Sequence, residues 1–307
     1  MSSIRGPVFT IFTPFDENGA IDFRALEGYI EFLTARGAKQ FYMMPYNGRY
    51  SQLSSEEIRE INAACIRFVK KDPDCSIIVS DPIHASTQEK LSYARESAEL
   101  GADYFSSIMR EKYFTPHQVI EHYSIMATAG IPIVAHAMPF LSGYDGRSMD
   151  WPGELFHCLR DVEGVVAIKE DSKDVQLSRA LIDQHGDRFD IMVAGRKSFL
   201  MNVLGGPRHA YINGVSMLDP HIASTFWSLL GSSLAEANRF IIEVDDPFWD
   251  NLVRKYGWHR VNKASLESAG LMSRRERMPM PSLTNEEMKD ADRAVTAIAQ
   301  AFEAWRG

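Results

Sequence analysis

Cysteine is nearly absent from this chain: Cys65, Cys75 and Cys158 are the only three in 307 residues, and no two form a C-x-x-C pair. Such scattered thiols build neither a disulfide framework nor a thiolate metal site, and they suit reduced side chains in a cytoplasmic protein. Long apolar runs are missing as well. No stretch approaches the ~20 residues that cross a bilayer as a helix, and the opening Met-Ser-Ser-Ile-Arg-Gly-Pro lacks the apolar core of a secretory signal. Positive charge is in deficit: 33 Lys and Arg face 41 Asp and Glu, for a net charge of −8. A general nucleic-acid or anionic-membrane surface is therefore not expected. There is also no strand–G-x-G-x-x-G–helix fingerprint, which removes the usual signature of a doubly wound dinucleotide fold.

What is present is a rhythm. Eight short apolar runs read as strands: Val8–Phe12, Gln40–Met44, Ser76–Ser80, Tyr104–Ile108, Pro132–Ala137, Val165–Glu170, Asp190–Gly195 and His209–Gly214. Between them lie helical patterns such as Phe23–Ala35, Ser55–Val69, Gln88–Leu100, Gln118–Thr128 and Ser178–His185. Ser54 followed by Glu56 and Glu57 is a start signal, and Gly101 and Gly130 are stop signals. Apolar strands alternating with helices imply a parallel sheet covered on both faces. Eight such units within roughly 225 residues predict a closed (β/α)₈ barrel, which typically takes about 250. After the eighth strand the pattern is helical only, near His221–Leu230, Leu234–Val244, Arg260–Ala269 and Asn285–Trp305. The reading is an α/β barrel over residues 1–225 with a C-terminal helical extension over 226–307 packed on it, the last helix being capped by Ser282 or Thr284.

A barrel of this kind builds its active site at the C-terminal ends of its strands. Those ends carry Thr13-Pro14, Pro45 to Arg49, Asp81 and His84, Arg110 to Tyr113, His136, Lys169-Glu170, Arg196-Lys197 and Asn213. Lys169 closes the aliphatic run Val165-Val166-Ala167-Ile168, so its stem should emerge from a dry interior. Burial disfavours the ammonium and lowers the pKa, and a neutral amine can attack a ketone to form an imine. The plain alternative for these residues is a lysine paired with Glu170 or Glu163.

Several of these segments resemble the dihydrodipicolinate synthase / N-acetylneuraminate lyase family of class I aldolases and dehydratases. The resemblant pieces run along nearly the whole chain: Thr13-Pro14-Phe15 with Ile21-Asp22, Val166-Ala167-Ile168-Lys169-Glu170, Ser106 to Pro116 with Tyr113 three residues before the proline, Leu204-Gly205-Gly206, and Asn262-Lys263 through Gly270-Leu271. The resemblance implies a barrel with extra C-terminal helices that assembles as a homodimer or homotetramer. It makes Lys169 the imine-forming lysine and Tyr113 an assistant, reaching in from a neighbouring subunit. No cofactor and no metal are implied.

The chain also departs from the family. Pro45-Tyr46-Asn47-Gly48-Arg49 stands where the family has G-T-T-G-E, and Gly48 alone is kept. Asn47 and Tyr46 are expected to position the substrate carboxylate in place of the threonines. His136-Ala137-Met138-Pro139 stands where the family has its Y-N-x-P tyrosine, so His136 is expected to be the proton shuttle, with a rate limb in the ordinary histidine range near 6.5. Basic residues gather at three strand ends, as Arg49, Arg110 with Lys112, and Arg196-Lys197. Because guanidinium groups suit carboxylates, the expected substrate is a 2-keto acid with a second anionic group. The expected activity is a Schiff-base lyase, an aldolase or dehydratase. Two rivals are a catalytically altered barrel that only binds a 2-keto acid, and a metal-dependent lyase using Asp81, His84 and His136.

Overall fold

The computed structural model describes residues 3–109, 115–138, 151, 153–206 and 209–306. Its strands are β1 (Gly6–Pro7), β2 (Phe9–Thr10), β3 (Gln40–Tyr42), β4 (Ser76–Ser80), β5 (Tyr104–Ser107), β6 (Ile133–Ala137), β7 (Val165–Glu170), β8 (Asp190–Ala194) and β9 (Ala210–Ile212). Each neighbouring pair is parallel, in the order β1-β9-β8-β7-β6-β5-β4-β3-β2. β1 and β2 are two pieces of one first strand, divided at Val8. The Val8 N–H donates to the Tyr211 carbonyl (2.9 Å) and the Ile11 N–H to that of Tyr42 (3.0 Å), so this strand joins both ends of the sheet. The eight expected strands are all found, and they close into the (β/α)₈ barrel.

Helices Phe23–Ala35 and Ser55–Val69 fall where the apolar spacing predicts them. Ser54 and Glu57 exchange hydrogen bonds in a capping box, which satisfies two N–H groups the helix start leaves open. Gly101 and Gly130 end their helices at φ +88° and +81°, a left-handed geometry that side chains resist. Thr284 caps the final helix, Asn285–Arg306, by accepting from the Glu287 N–H.

Two expectations about the C-terminal part change. A boundary between residues 225 and 226 would cut helix Pro220–Ser232, which packs beside β1 as the barrel's last helix. The extension also continues helically past Val244, through Asp246–Phe248 to Arg254–Tyr256, despite Pro247. Wide π-type turns at Ile241–Asp245 and Trp249–Val253 flank that proline. Such widened turns absorb the missing N–H and the ring that a tight α-helix would reject. This irregular segment delivers Trp249 to the barrel mouth, where it lines the cavity. Among the described residues no helix is long and apolar enough to cross a membrane.

Candidate active site

In a strand, alternate side chains share a face. On β7, Ile168 and Glu170 therefore point away from the barrel axis, and Lys169 points inward with Asp171 just beyond the strand. Lys169 is fully buried. Register places it beside His136 of β6 on one side and Met192 of β8 on the other. Its Nζ lies 2.9 Å from His136 Nε2 and 3.0 Å from Asp171 Oδ2. Burial lowers the pKa of Lys169, and the Asp171 carboxylate works against that fall.

His136 is buried too. Desolvation, followed by the adjacent Lys169 charge, pushes its pKa down to about 4, so the ring is neutral near pH 7. With Nε2 accepting from the lysine, the ring hydrogen belongs on Nδ1, which faces the Tyr42 hydroxyl at 3.4 Å. Tyr42 in turn shares a 2.6 Å hydrogen bond with Ser106 Oγ. Burial alone would raise the Asp171 carboxyl, but Lys169, His136 and Lys173 hold it well below the usual carboxylate range. A lysine, a neutral imidazole and a carboxylate thus meet at one point, with a phenol behind the imidazole. The set can take a proton from an amine and return it nearby.

A cavity of about 360 Å³ opens above this cluster. Lys169, Asp171 and Lys173 line it together with Met44, Tyr46, Met138, Ala194, Gly195 and Ile212. Trp249 and Trp258 complete the lining, with their rings stacked at 5.1 Å and an interplanar angle of 21°.

The structure disperses several of the other residues singled out by strand-end position. Tyr46 does line the cavity. Asn47 is buried with its amide nitrogen donating to Thr10 Oγ1 (2.8 Å) and its oxygen accepting from the Trp258 indole (3.0 Å). Its carboxamide ties the loop to the C-terminal extension rather than reaching for a ligand. Gly48 is needed for close packing, since a Cβ there would sit 2.6 Å from Met43 Cε and 2.9 Å from the Met44 carbonyl oxygen. Asn213 donates to the buried Asp245 carboxylate at 2.8 Å.

Among the described basic residues, Arg49, Arg196 and Lys197 each meet an acid, and Arg196 and Lys197 line a neighbouring cavity that shares Lys173 and Ala194 with the first. Arg49 lies 3.4 Å from Glu276, Arg196 binds Asp250 (2.7 Å) and Asp246 (3.0 Å), and Lys197 binds Glu170 (2.6 Å). None of the three lines the first cavity. Acids 27 to 227 positions away in the chain pair with these cations, and spacing gives no hint of such pairs. Lys169 pairs with Asp171, not with Glu170 or Glu163, because Glu170 occupies the opposite face of the strand. Asp81, read as a possible metal ligand, accepts from Ser107 Oγ at 2.5 Å and lies 3.5 Å from Lys90. Tyr113, Arg110 and Lys112 lie outside the described residues.

Five contributors escape the sequence reading, Lys173 of the cavity lining among them. Asp171 had a signal, since period two puts it on the face of Lys169. Tyr42 had a weaker one, as a polar-tipped residue on an inward strand position. Trp249 and Trp258 had none, because nothing local indicates which barrel rim a C-terminal helix will meet.

The model of the dihydrodipicolinate synthetase family matches residues 3–298. A 4-hydroxy-tetrahydrodipicolinate synthase of Ruthia magnifica subsp. Calyptogena magnifica is 25% identical over 190 residues, which cover 61% of each chain. One from Bartonella quintana (strain Toulouse) is 27% identical over 56% of this chain and 57% of its own. The chain thus matches about three fifths of the length of these curated relatives. Among solved structures, a dihydrodipicolinate synthase from Agrobacterium tumefaciens superposes with a TM-score of 0.83 at 22% identity, covering 96% of this chain and 98% of that one. N-acetylneuraminate lyase from Fusobacterium nucleatum gives 0.83 at 17% identity, covering 96% and 99%. Similarity at that level carries the fold, and the family match carries the kinship: the chain belongs to the dihydrodipicolinate synthetase family.

Proposed function

We propose that the protein is a class I lyase that holds a 2-keto acid as a Schiff base on Lys169. The observation that carries this reading is a fully buried lysine amine that lines a cavity within hydrogen-bond reach of two proton acceptors, His136 and Asp171. The neutral amine attacks the ketone carbon, and the carbonyl electron pair moves to oxygen. Proton transfer through His136 or Asp171 gives the carbinolamine, and loss of one water leaves the protonated imine. In a retro-aldol step His136 takes the C4 hydroxyl proton. The C3–C4 bond then breaks, its electron pair passes into the imine as an enamine, and an aldehyde leaves. His136 returns the proton to C3, and water hydrolyses the imine to release the shorter keto acid and Lys169. Dehydration would use the same electron sink, with the C3 proton removed and the C4 hydroxyl leaving as water.

Tyr46 and Lys173 line the cavity and are assigned to the substrate carboxylate. The chain is expected to work as a homodimer or homotetramer, with Tyr113 assisting. Borohydride added with pyruvate should fix a mass increase on Lys169 that Lys169→Ala abolishes. Labelling elsewhere, or none with any small 2-keto acid, overturns the reading. One rival is a barrel of the same family that binds a 2-keto acid without turnover. Adduct formation without cleaved or dehydrated product would establish it.

A further inference from the structure

We propose that the stacked Trp249–Trp258 pair is a subsite for a planar aromatic group attached to the 2-keto acid; this deepens the Schiff-base reading and rests on it. Size is the first argument. A cavity of about 360 Å³ lies within the range of about 300–1,000 Å³ that holds drug-sized ligands. Pyruvate, with six heavy atoms, leaves much of it unfilled.

Lining chemistry is the second. Apart from Lys169, Asp171, Lys173 and Tyr46, the described lining residues carry no hydroxyl, carboxamide or charged side chain. Arg49 and Arg196, which could have held a second carboxylate, are paired with acids elsewhere. A polyol chain or a second anion would leave its own polar groups poorly matched against methionine, isoleucine and indole. A flat apolar ring would not.

The third argument is that the indoles are held in place. Trp258 donates its N–H to Asn47 and seats against Gly214, where a Cβ would lie 2.9 Å from the indole ring and 2.6 Å from Phe248 Cε1. Phe248 meets both indoles edge-on, at 6.2 and 6.5 Å. Gly195 turns the chain at φ +81° beside Trp249, a left-handed conformation that side chains resist. Both tryptophans are only half-buried, so the pair is not a sealed core stack. A pre-set aromatic surface binds a ring with little ordering of its own side chains, and ring pairs gain from offset or edge-on geometry beyond the area they bury.

The test separates this subsite from the imine. 4-Phenylbutanoate and 4-cyclohexylbutanoate have the same carbon skeleton, differ in planarity and π face, and lack the ketone. Calorimetry on the full chain should find the phenyl acid bound roughly 5-fold more tightly, the size of a ring-pair preference. Trp249→Ala should erase that margin. If the alanine variant fails to fold, Trp249→Leu, which stays apolar without a ring, should erase it equally. Equal binding of the two acids, or a margin that survives loss of the Trp249 ring, overturns the proposal. Borohydride trapping of pyruvate on the same preparation reports the imine by itself: adduct without phenyl preference sinks the subsite alone, and preference without adduct sinks the Schiff base alone.

Discussion

Nζ of Lys169 lies 2.9 Å from Nε2 of His136, and the two residues are also direct partners in the β6–β7 register. The pairing of backbones therefore sets the pairing of side chains. The register fixes the two Cα positions, so the side chains need only their own rotamers to meet.

Burial, together with that contact, should move the pH limb away from the ordinary histidine range. Burial and the lysine charge lower the His136 pKa to about 4. The base form is the deprotonated one, so its contribution persists as pH falls from 7 and disappears through about 4. The ratio of kcat/KM for wild type to His136→Asn should be roughly 10² or more and level above pH 5. It should shrink below about 4. A ratio that falls between pH 7 and 6 would show that His136 titrates normally.

Asp171 holds the opposite lever. Its carboxylate favours the ammonium form of Lys169, so Asp171→Asn should lower the lysine pKa further. Pyruvate trapping by borohydride should then extend to lower pH than in wild type, while turnover drops by about 10-fold or more through loss of a proton acceptor. An unchanged trapping profile would make Asp171 an onlooker.

Tyr42 is a positioning residue behind His136. Removing its hydroxyl in Tyr42→Phe takes away the partner facing Nδ1 and the 2.6 Å bond to Ser106. We expect kcat to fall about 10-fold with half-saturation for pyruvate trapping unchanged, and stability to fall by about 1 kcal/mol for the lost buried hydrogen bond. A change in half-saturation alone would place Tyr42 in ligand binding instead.

Beneath the site, Lys197 and Glu170 form a buried ion pair at 2.6 Å, supported by the Ser178 hydroxyl and the Ser172 N–H. Lys197→Met leaves a buried carboxylate without its cation and should destabilise by about 3–5 kcal/mol in urea unfolding. Adding Glu170→Leu should reduce that loss, because the charge left behind is removed. If the double variant is less stable than the single, the pair is not the source of the effect.

Much of the architecture is legible in the sequence because it rests on local periodicity. Apolar runs of strand length, helices between them, and the glycine and serine punctuation at 54, 101 and 130 state the barrel order without reference to distant contacts. Lys169 and His136 are legible for the same reason: strand-end position in a barrel points both to the mouth. The irregular helix through Pro247 is not legible, since proline normally ends a helix and π-type widening depends on what the segment packs against.

The sequence by itself thus determined the barrel and the strand-end positions of Lys169 and His136, through the two-residue and helical periods of the chain. Only the tertiary structure decided the character of the cavity. Arg49 and Arg196 read as ligand-binding cations until Glu276, Asp246 and Asp250 meet them, at separations of 227, 50 and 54 positions. Trp249 and Trp258 fall outside every helix that the spacing predicts, and only the folding of the C-terminal extension over the barrel stacks them at its mouth. Charge neutralisation and ring stacking act through space over a few ångströms, and no local pattern encodes which distant segments will come that close.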